Sequence, residues 1–332
     1  VSVLLPVRDG AATLGRCLSS LRRQTLLEHE VVAVDDGSTD GTAALLAAAA
    51  ARDPRVVRVH TPPRGLVAAL NTALERARAP LLARMDADDV AHPRRLELQA
   101  RRLAAERGLS VLGCRVRHGR APGAPGEGMA AYVRWSNSLL RHRDIARDAL
   151  VESPLVHPSV MVRSSLLRGL GGYRDFDGPE DYDLWLRALA AGARFAKLPQ
   201  ALLLWRDSPQ RLTRRDPRYA GARLLALKLE ALERAFLQGR RPLVVWGAGR
   251  MGKAWARALL GRGHALAAFV EVAPRKLGQR IHGAPVLPCA DAGRVAGALH
   301  LAAVPQAAAR ARIRAEAARQ GLREGRDLVA VA

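Results

Sequence analysis

The sequence predicts an α/β protein with a mostly parallel central sheet between helices, followed by a second, smaller α/β domain. Three observations carry this expectation. Apolar runs alternate with helical patterns from Ser2 onward, acidic residues gather where several of those runs end, and at Leu243 the alternation starts afresh with GAGRMG directly after the new run. Short apolar strands separated by helices imply right-handed crossovers, and hence parallel strands covered on both faces.

A chain of 332 residues suits two domains, and an apolar content of 49% supplies a core for each. The net charge of +22 is carried almost wholly by arginine, since lysine occurs only at Lys197, Lys228, Lys253 and Lys276. Such a charge attracts nucleotide phosphates, anionic lipid headgroups or nucleic acid. No helix-turn-helix pattern, zinc-finger spacing or RNA-binding aromatic signature accompanies it, which argues against specific nucleic-acid binding. Cys17, Cys114 and Cys289 are odd in number and far apart, as expected of core thiols in a reducing compartment. No apolar run is long enough to span a bilayer, and the chain opens on a strand rather than a signal region. The expected location is cytoplasmic, with peripheral contact to an anionic inner membrane face open to so basic a protein.

Residues 2–7 (SVLLPV) form a continuous apolar run ended by Arg8, Asp9 and Gly10, the pattern of a buried strand meeting a loop at its carboxyl end. Leu14, Leu18 and Leu21 follow at helical spacing. The second strand, 31–34, empties into DDGSTDG before an alanine-rich helix at 41–52. A third strand at 56–59, a helix at 66–79 and a fourth strand at 81–85 complete the repeat. That fourth strand delivers Asp86, Asp88 and Asp89, followed by a helix at 93–106 and a strand at 109–116.

Buried carboxylates are costly unless paired, hydrogen-bonded or bound to a metal, so Asp86, Asp88 and Asp89 mark a polar site at the sheet's edge. Hard divalent cations, Mg2+ or Mn2+, take such ligands and bridge to phosphates. The plainer alternative is that these residues cap the next helix or shape a turn. In open sheets of this kind ligands bind beyond the carboxyl ends of the strands, where Asp9, Asp36, Asp86 and Asp88 all fall.

The Gly- and Pro-rich segment 118–128 reads as a loop that either contacts substrate or merely connects. His157 precedes Pro158 and the strand-like SVMV. In GPEDYDLWLRALAAG, residues Glu180, Asp181 and Asp183 open a helix whose apolar face holds Tyr182, Trp185, Leu186 and Leu189. First-turn acids complement the helix dipole; alternatively, one of them is a general base for an incoming hydroxyl. Two short strands are expected at 195–198 and 202–205, and Arg206, Arg211, Arg214 and Arg215 form a basic run that is either a solvated face or an anion clamp.

Taken together and in order, SVLLPVRDGAATLGRCLSSLRRQT, VVAVDDGSTDGT, LARMDADDVAHPRRLELQ, HPSVMVR, GGYR and EDYDLWLR resemble glycosyltransferase family 2, over residues 1–219. The resemblance implies the GT-A nucleotide-diphospho-sugar transferase fold and inverting transfer of a sugar to an acceptor hydroxyl. It implies a donor of the UDP or dTDP type and a glycan, lipid-linked or small-molecule acceptor. Pro6, Val7, Asp9 and Asp36 would line the nucleoside pocket, with Asp36 reading the base. Asp86 and Asp88 match the Asp-x-Asp signature that also brings Ala87 to the donor; Asp88 would be the closer metal ligand and Asp86 would lie nearer the ribose or sugar. Asp181 of the Glu-Asp pair would be the base. Asn71, Arg84, His157, Glu180 and Trp185 would give supporting contacts, and Arg163 and Arg206 are further basic candidates. One departure is plain: Pro63 and Arg64 precede Gly65 where many members carry Asn.

Residues 217–240 carry a helical apolar pattern expected of a linker between a first domain at 1–216 and a second at 241–332. In the second, a strand at 243–246 runs into Gly247, Gly249 and Gly252, a helix follows, and a strand at 266–270 ends in Glu271. This spacing is that of a dinucleotide fingerprint, in which glycines admit a pyrophosphate and the acid binds a ribose; the same glycines also serve helix–sheet packing alone. The loop 273–286, strands at 298–304 and 328–331 and a helix at 306–320 complete a small Rossmann-like domain, similar to nucleotide-binding modules fused to sugar-modifying enzymes. Two other readings stand beside sugar transfer: an NAD-dependent oxidoreductase built on GAGRMG, and a non-catalytic nucleotide-binding scaffold.

Overall fold

A computed structural model describes residues 1–120, 127–207, 214, 216–239 and 241–332. The chain divides into two compact units, one of 1–145 with 154–219 and one of 146–153 with 220–332.

In the first unit, β1 (Ser2–Val7), β2 (Glu30–Asp36), β3 (Val56–Thr61), β4 (Leu81–Arg84), β5 (Val90–Ala91), β6 (Leu109–Arg120), β7 (Met161–Arg163) and β8 (Arg194–Asp207) form one sheet. Their order is β3-β2-β1-β4-β7-β6-β8-β5. The first four are parallel, as the alternation implies. Beyond them the sheet is mixed, because β7 runs antiparallel to both β4 and β6, and β5 antiparallel to β8. Apolar pattern reveals that a strand exists but not its direction, and β7 and β5 are too short to imply a crossover.

The expected pair of short strands at 195–198 and 202–205 is one strand, β8. Its register against β6 jumps from Cys114–Leu198 to Arg115–Ala201, so Pro199 and Gln200 sit in a bulge, where a residue without an N–H is tolerated. Between 129 and 154 periodicity announces nothing, yet α5 (Glu127–Ser138) and α6 (His142–Asp148) lie there.

The continuous apolar run of β1 is explained by burial on both faces. Val3, Leu5 and Val7 pack with Leu14, Cys17 and Leu21 of α1 (Ala11–Arg22), whereas Leu4 packs with Val32 and Val34 against Val67, Leu70 and Leu74 of α3 (Leu66–Arg76). Each such side chain contributes about 1.5–3 kcal/mol of transfer free energy. Asp40 ties two helix starts together: one carboxylate oxygen accepts from the Thr42 amide that opens α2 (Thr42–Arg52), the other from the Ala11 amide that opens α1, both at 2.9 Å.

In the second unit, β9 (Leu243–Trp246), β10 (Leu266–Glu271), β11 (Arg280–Ile281), β12 (Ala284–Pro288), β13 (Leu299–Ala302) and β14 (Leu328–Ala330) lie in the order β11-β12-β10-β9-β13-β14. All but β11 are parallel. The stretch 273–286, expected as a loop, holds the β11–β12 hairpin. His282 and Gly283 have φ of 50° and 81°, the paired positive values that a two-residue hairpin turn demands. Residues 146–153 belong to this unit through buried polar contacts. Asp148 accepts from Arg314 at 2.5 Å and from Arg147 at 2.9 Å, and the buried Lys228 ammonium donates to the carbonyls of Val151 and Val331.

Gly252 opens α10 (Arg250–Gly261), which follows α9 (Gly221–Phe236), so close to β9 that a Cβ there would stand 1.8 Å from the Gly247 carbonyl oxygen. Backbone on the far side leaves no cheap adjustment. Gly252→Ala is therefore expected to destabilise the second unit by about 3 kcal/mol or more, read as a lowered urea midpoint with faster amide exchange in β9 and β10.

Candidate active site

Strand order reverses at β1, which pairs with β2 on one side and β4 on the other, leaving a crevice beyond the carboxyl ends of β1 and β4. Asp9 and Asp86 stand at those two ends. The loops are packed tightly: a Cβ on Gly10 would lie 2.7 Å from the Val7 side chain and 3.6 Å from that of Ala87. Pro6 and Val7 are buried in the end of β1. Asp9, at φ 49°, is held by its neighbours in the β2 loop; its carboxylate accepts from the Thr39 amide at 2.7 Å and its amide donates to the Ser38 hydroxyl at 2.9 Å.

Ligand oxygens of Asp86, Asp88 and Asp89 all lie within 4.8 Å of one another. Two oxygens on opposite sides of one Mg2+ or Ca2+-sized ion are about 4–5 Å apart, so the cluster has the donor type and the spacing of a hard divalent cation site. The three acids are not equivalent. Asp89 is buried and accepts from the Arg206 amide at 2.8 Å, whereas Asp86 is partly exposed and paired at 2.6 Å with Arg84. Arg84 is itself buried, and beneath it the buried Arg95 of α4 (Arg95–Ala105) donates to the Arg84 carbonyl at 2.7 Å. Two internal guanidinium groups thus offset the three carboxylates.

A second polar group adjoins the first through Arg84. His157, in the 3-10 turn His157–Ser159, meets the Tyr173 hydroxyl at 2.9 Å through Nε2 and faces Glu180 at 3.7 Å through Nδ1. Glu180 is the first residue of α8 (Glu180–Ala190) and accepts a 2.7 Å hydrogen bond from the Tyr219 hydroxyl. Burial holds the His157 pKa well below its ordinary value, with the Arg84 charge adding to the effect. Burial raises the pKa of Glu180, opposed by the Tyr219 hydrogen bond and by Arg84. Asp181 follows in the same turn and accepts from the Tyr182 amide at 2.7 Å.

Several residues singled out in the sequence are placed away from this crevice or have local partners. Both oxygens of Asp36 accept backbone N–H bonds, from Arg64 at 2.7 Å and Gly65 at 2.9 Å, fixing the turn with φ 90° at Gly65 that starts α3. The Asn71 amide is spent on both backbone groups of Tyr173. Trp185 is buried edge-on between His157 and Phe195. Arg163 donates to the carbonyls of Leu103, Glu106 and Leu109, and Arg214 to the buried Asp207. Residues 121–126 of the Gly/Pro-rich loop, with Arg211 and Arg215, lie outside the described residues. Arg95, Tyr173 and Tyr219 carry weight that sequence reading did not assign; only Tyr173 had a signal, within GGYR.

In the second unit, Gly247 has φ 101°, and a Cβ there would come within 2.7 Å of Val304; Gly249 precedes α10 with open space around it. Glu271 accepts from the Ala248 amide at 3.1 Å, the Val272 amide at 2.9 Å and the Lys276 ammonium at 2.8 Å; against burial, Lys276 and the Val272 and Ala273 amides hold its pKa low.

The model of the glycosyl transferase family 2 matches residues 2–171. The chain belongs to glycosyltransferase family 2. It is 30% identical over 251 residues to the amylovoran biosynthesis glycosyltransferase AmsE of Erwinia amylovora, covering 72% of this chain and 89% of that protein. The fold is similar to that of S. aureus TarS in complex with UDP-GlcNAc, with a TM-score of 0.55 at 18% identity over 72% of this chain and 73% of that one. It is similar also to the mannosyltransferase PcManGT from Pyrobaculum calidifontis in complex with GDP-Man and Mn2+, with a TM-score of 0.52 at 21% identity, covering 79% and 78%. This member is a nucleotide-sugar-dependent glycosyltransferase of polysaccharide or glycoconjugate synthesis. Family membership decides among the three readings in favour of sugar transfer. No helix among the described residues is long and apolar enough to cross a membrane.

The neutral, buried His157 gives a pH signature. Its folded pKa lies below the ordinary 6.5, so the unfolded chain takes up the proton first and stability falls as pH drops below about 6.5. Replacing it by Gln removes that component. Between pH 7.5 and 5.5 the loss of unfolding free energy is expected to be smaller in His157→Gln than in the parent by about 1 kcal/mol, measured by urea denaturation at each pH.

Proposed function

We propose that the first unit is a GT-A domain that binds a UDP- or dTDP-sugar with Mg2+ or Mn2+ and transfers the sugar, with inversion, to a hydroxyl of a glycan or lipid-linked acceptor. The observation that carries this reading is the Asp86–Asp88–Asp89 cluster at the β1/β4 switch point, backed by the buried Arg84 and Arg95. Asp88 and Asp86 are the proposed metal ligands, and Pro6, Val7, Asp9, Asp36 and Ala87 the proposed wall of the nucleotide pocket. Asp36 acts there through the Arg64–Gly65 turn that it holds, as well as through any direct contact. A divalent cation bound at the triad neutralises charge developing on the departing diphosphate.

Asp181 is the proposed general base. It stands in the first turn of α8, beside the buried group of Glu180, His157 and Tyr173, which borders Arg84 and therefore the donor end of the crevice. Direct displacement by the acceptor oxygen needs only that its proton pass to Asp181 as the bond to the anomeric carbon forms and the bond to the diphosphate breaks. Local production of a nucleotide sugar would suit a cytoplasmic location, peripheral to the membrane if the acceptor is lipid-linked.

The second unit we read as Rossmann-like. Five parallel strands in the order third-second-first-fourth-fifth, with a glycine turn after the first, support this. The glycines at 247 and 252 answer packing needs by themselves, and the Glu271 carboxylate is engaged by Ala248 and Lys276. An assembly or regulatory task therefore fits this unit better than hydride transfer.

Two variants test the assignment. Asp181→Asn is expected to lower turnover by about 100- to 10,000-fold while donor binding by calorimetry is retained. Asp88→Ala is expected to remove Mn2+-dependent donor binding, and chelation of the parent enzyme should have the same effect. Parent-like turnover in both variants would overturn the assignment.

A further inference from the structure

We propose that Tyr219 is a positioning residue for sugar transfer: its hydroxyl fixes Glu180 and, through the first turn of α8, sets the place of Asp181. The proposal rests on the reading of Asp181 as the base. Its ground is geometric. The residue before α8 is Pro179, which makes no side-chain cap, so nothing of the usual kind locates the helix start. Glu180 does so instead. One of its carboxylate oxygens accepts from Tyr219 at 2.7 Å and the other faces His157 at 3.7 Å, and His157 is fixed in turn by Tyr173 at 2.9 Å. The side chain is thereby held by the Pro217–Tyr219 turn and lies beside the His157–Ser159 turn.

The Tyr219 turn is itself braced. Asp216 accepts from the Arg218 amide at 2.9 Å and from its guanidinium at 2.7 Å, while upstream Arg214 is paired at 2.7 Å with the buried Asp207 at the end of β8. A tyrosine on so short and cross-linked a turn is a rigid anchor rather than a side chain that happens to reach an acid. Burial and the adjacent Glu180 keep the phenol protonated, so its O–H is there to be donated to the carboxylate. A carboxylate one residue from the proposed base, 4% exposed and held by the Tyr219 hydroxyl, transmits small displacements to that base, and reaction rates fall steeply with misplacement of a reacting group.

Tyr219→Phe keeps the ring and removes only the hydroxyl. It is expected to lower kcat about 10- to 100-fold with donor KM and Mn2+ binding unchanged. If the hydroxyl works through Glu180, the double variant Tyr219→Phe/Glu180→Gln is no slower than Glu180→Gln alone, since both remove the same link. A purely structural tyrosine would instead lower the melting temperature with kcat unmoved. Parent-like kcat in Tyr219→Phe, or effects that multiply in the double variant, would overturn the proposal. Asp181→Asn is assayed alongside: full turnover there removes the base assignment, whereas an inactive Asp181→Asn with an unaffected Tyr219→Phe removes the positioning role alone.

Discussion

The first unit depends on balancing acidic side chains that the fold forces into one place. Parallel strands β1 and β4 bring their carboxyl ends together, and with them Asp9, Asp86, Asp88 and Asp89. Four acids brought so near one another repel, and the buried Asp89 would be costly if uncompensated. Arg84 and Arg95 supply the compensation from below, one paired with Asp86 and the other anchoring the backbone of Arg84. The triad above them has the donor type and spacing of a divalent-cation site. Structure and chemistry are thus one constraint.

Arg84 also joins two regions far apart in sequence. On one side lies Asp86; on the other its charge acts on His157, Tyr173 and Glu180. A neutral histidine and a carboxyl with a raised pKa are what burial makes of such groups, even beside a fixed guanidinium. Asp86 and the His157–Tyr173–Glu180 group therefore share one charged neighbour, Arg84.

In the second unit the residues of the glycine motif also serve its packing. Gly247 and Gly252 allow α10 to lie against β9, and the acid at the end of β10 turns back to the glycine loop and to Lys276. These contacts give the glycines and the acid a structural role of their own. The unit also takes in residues 146–153, bound through Asp148 and Lys228, which lie between two stretches of the first unit in the chain.

Much of this was legible in the residues. Runs buried on both faces, such as 2–7, cannot be mistaken, because every position is apolar, and acids placed after such runs mark the functional edge of a parallel sheet. The order of the family motifs added the activity. Strand direction past β4 was not legible, since a three-residue strand has no crossover to declare it; nor was the β11–β12 hairpin, hidden in a short turn at His282 and Gly283. Partnership was the other thing withheld. Asp36 and Asn71, expected as ligand contacts, also bond to backbone at Arg64, Gly65 and Tyr173, while Arg95 and Tyr219 gain their importance from neighbours 11 and 39 residues away. Sequence by itself determined which chemistry this protein carries and at which strand ends. Tertiary structure alone decided which side chains are spent on holding the fold, because hydrogen-bond partners are chosen by distance in space and not by spacing along the chain.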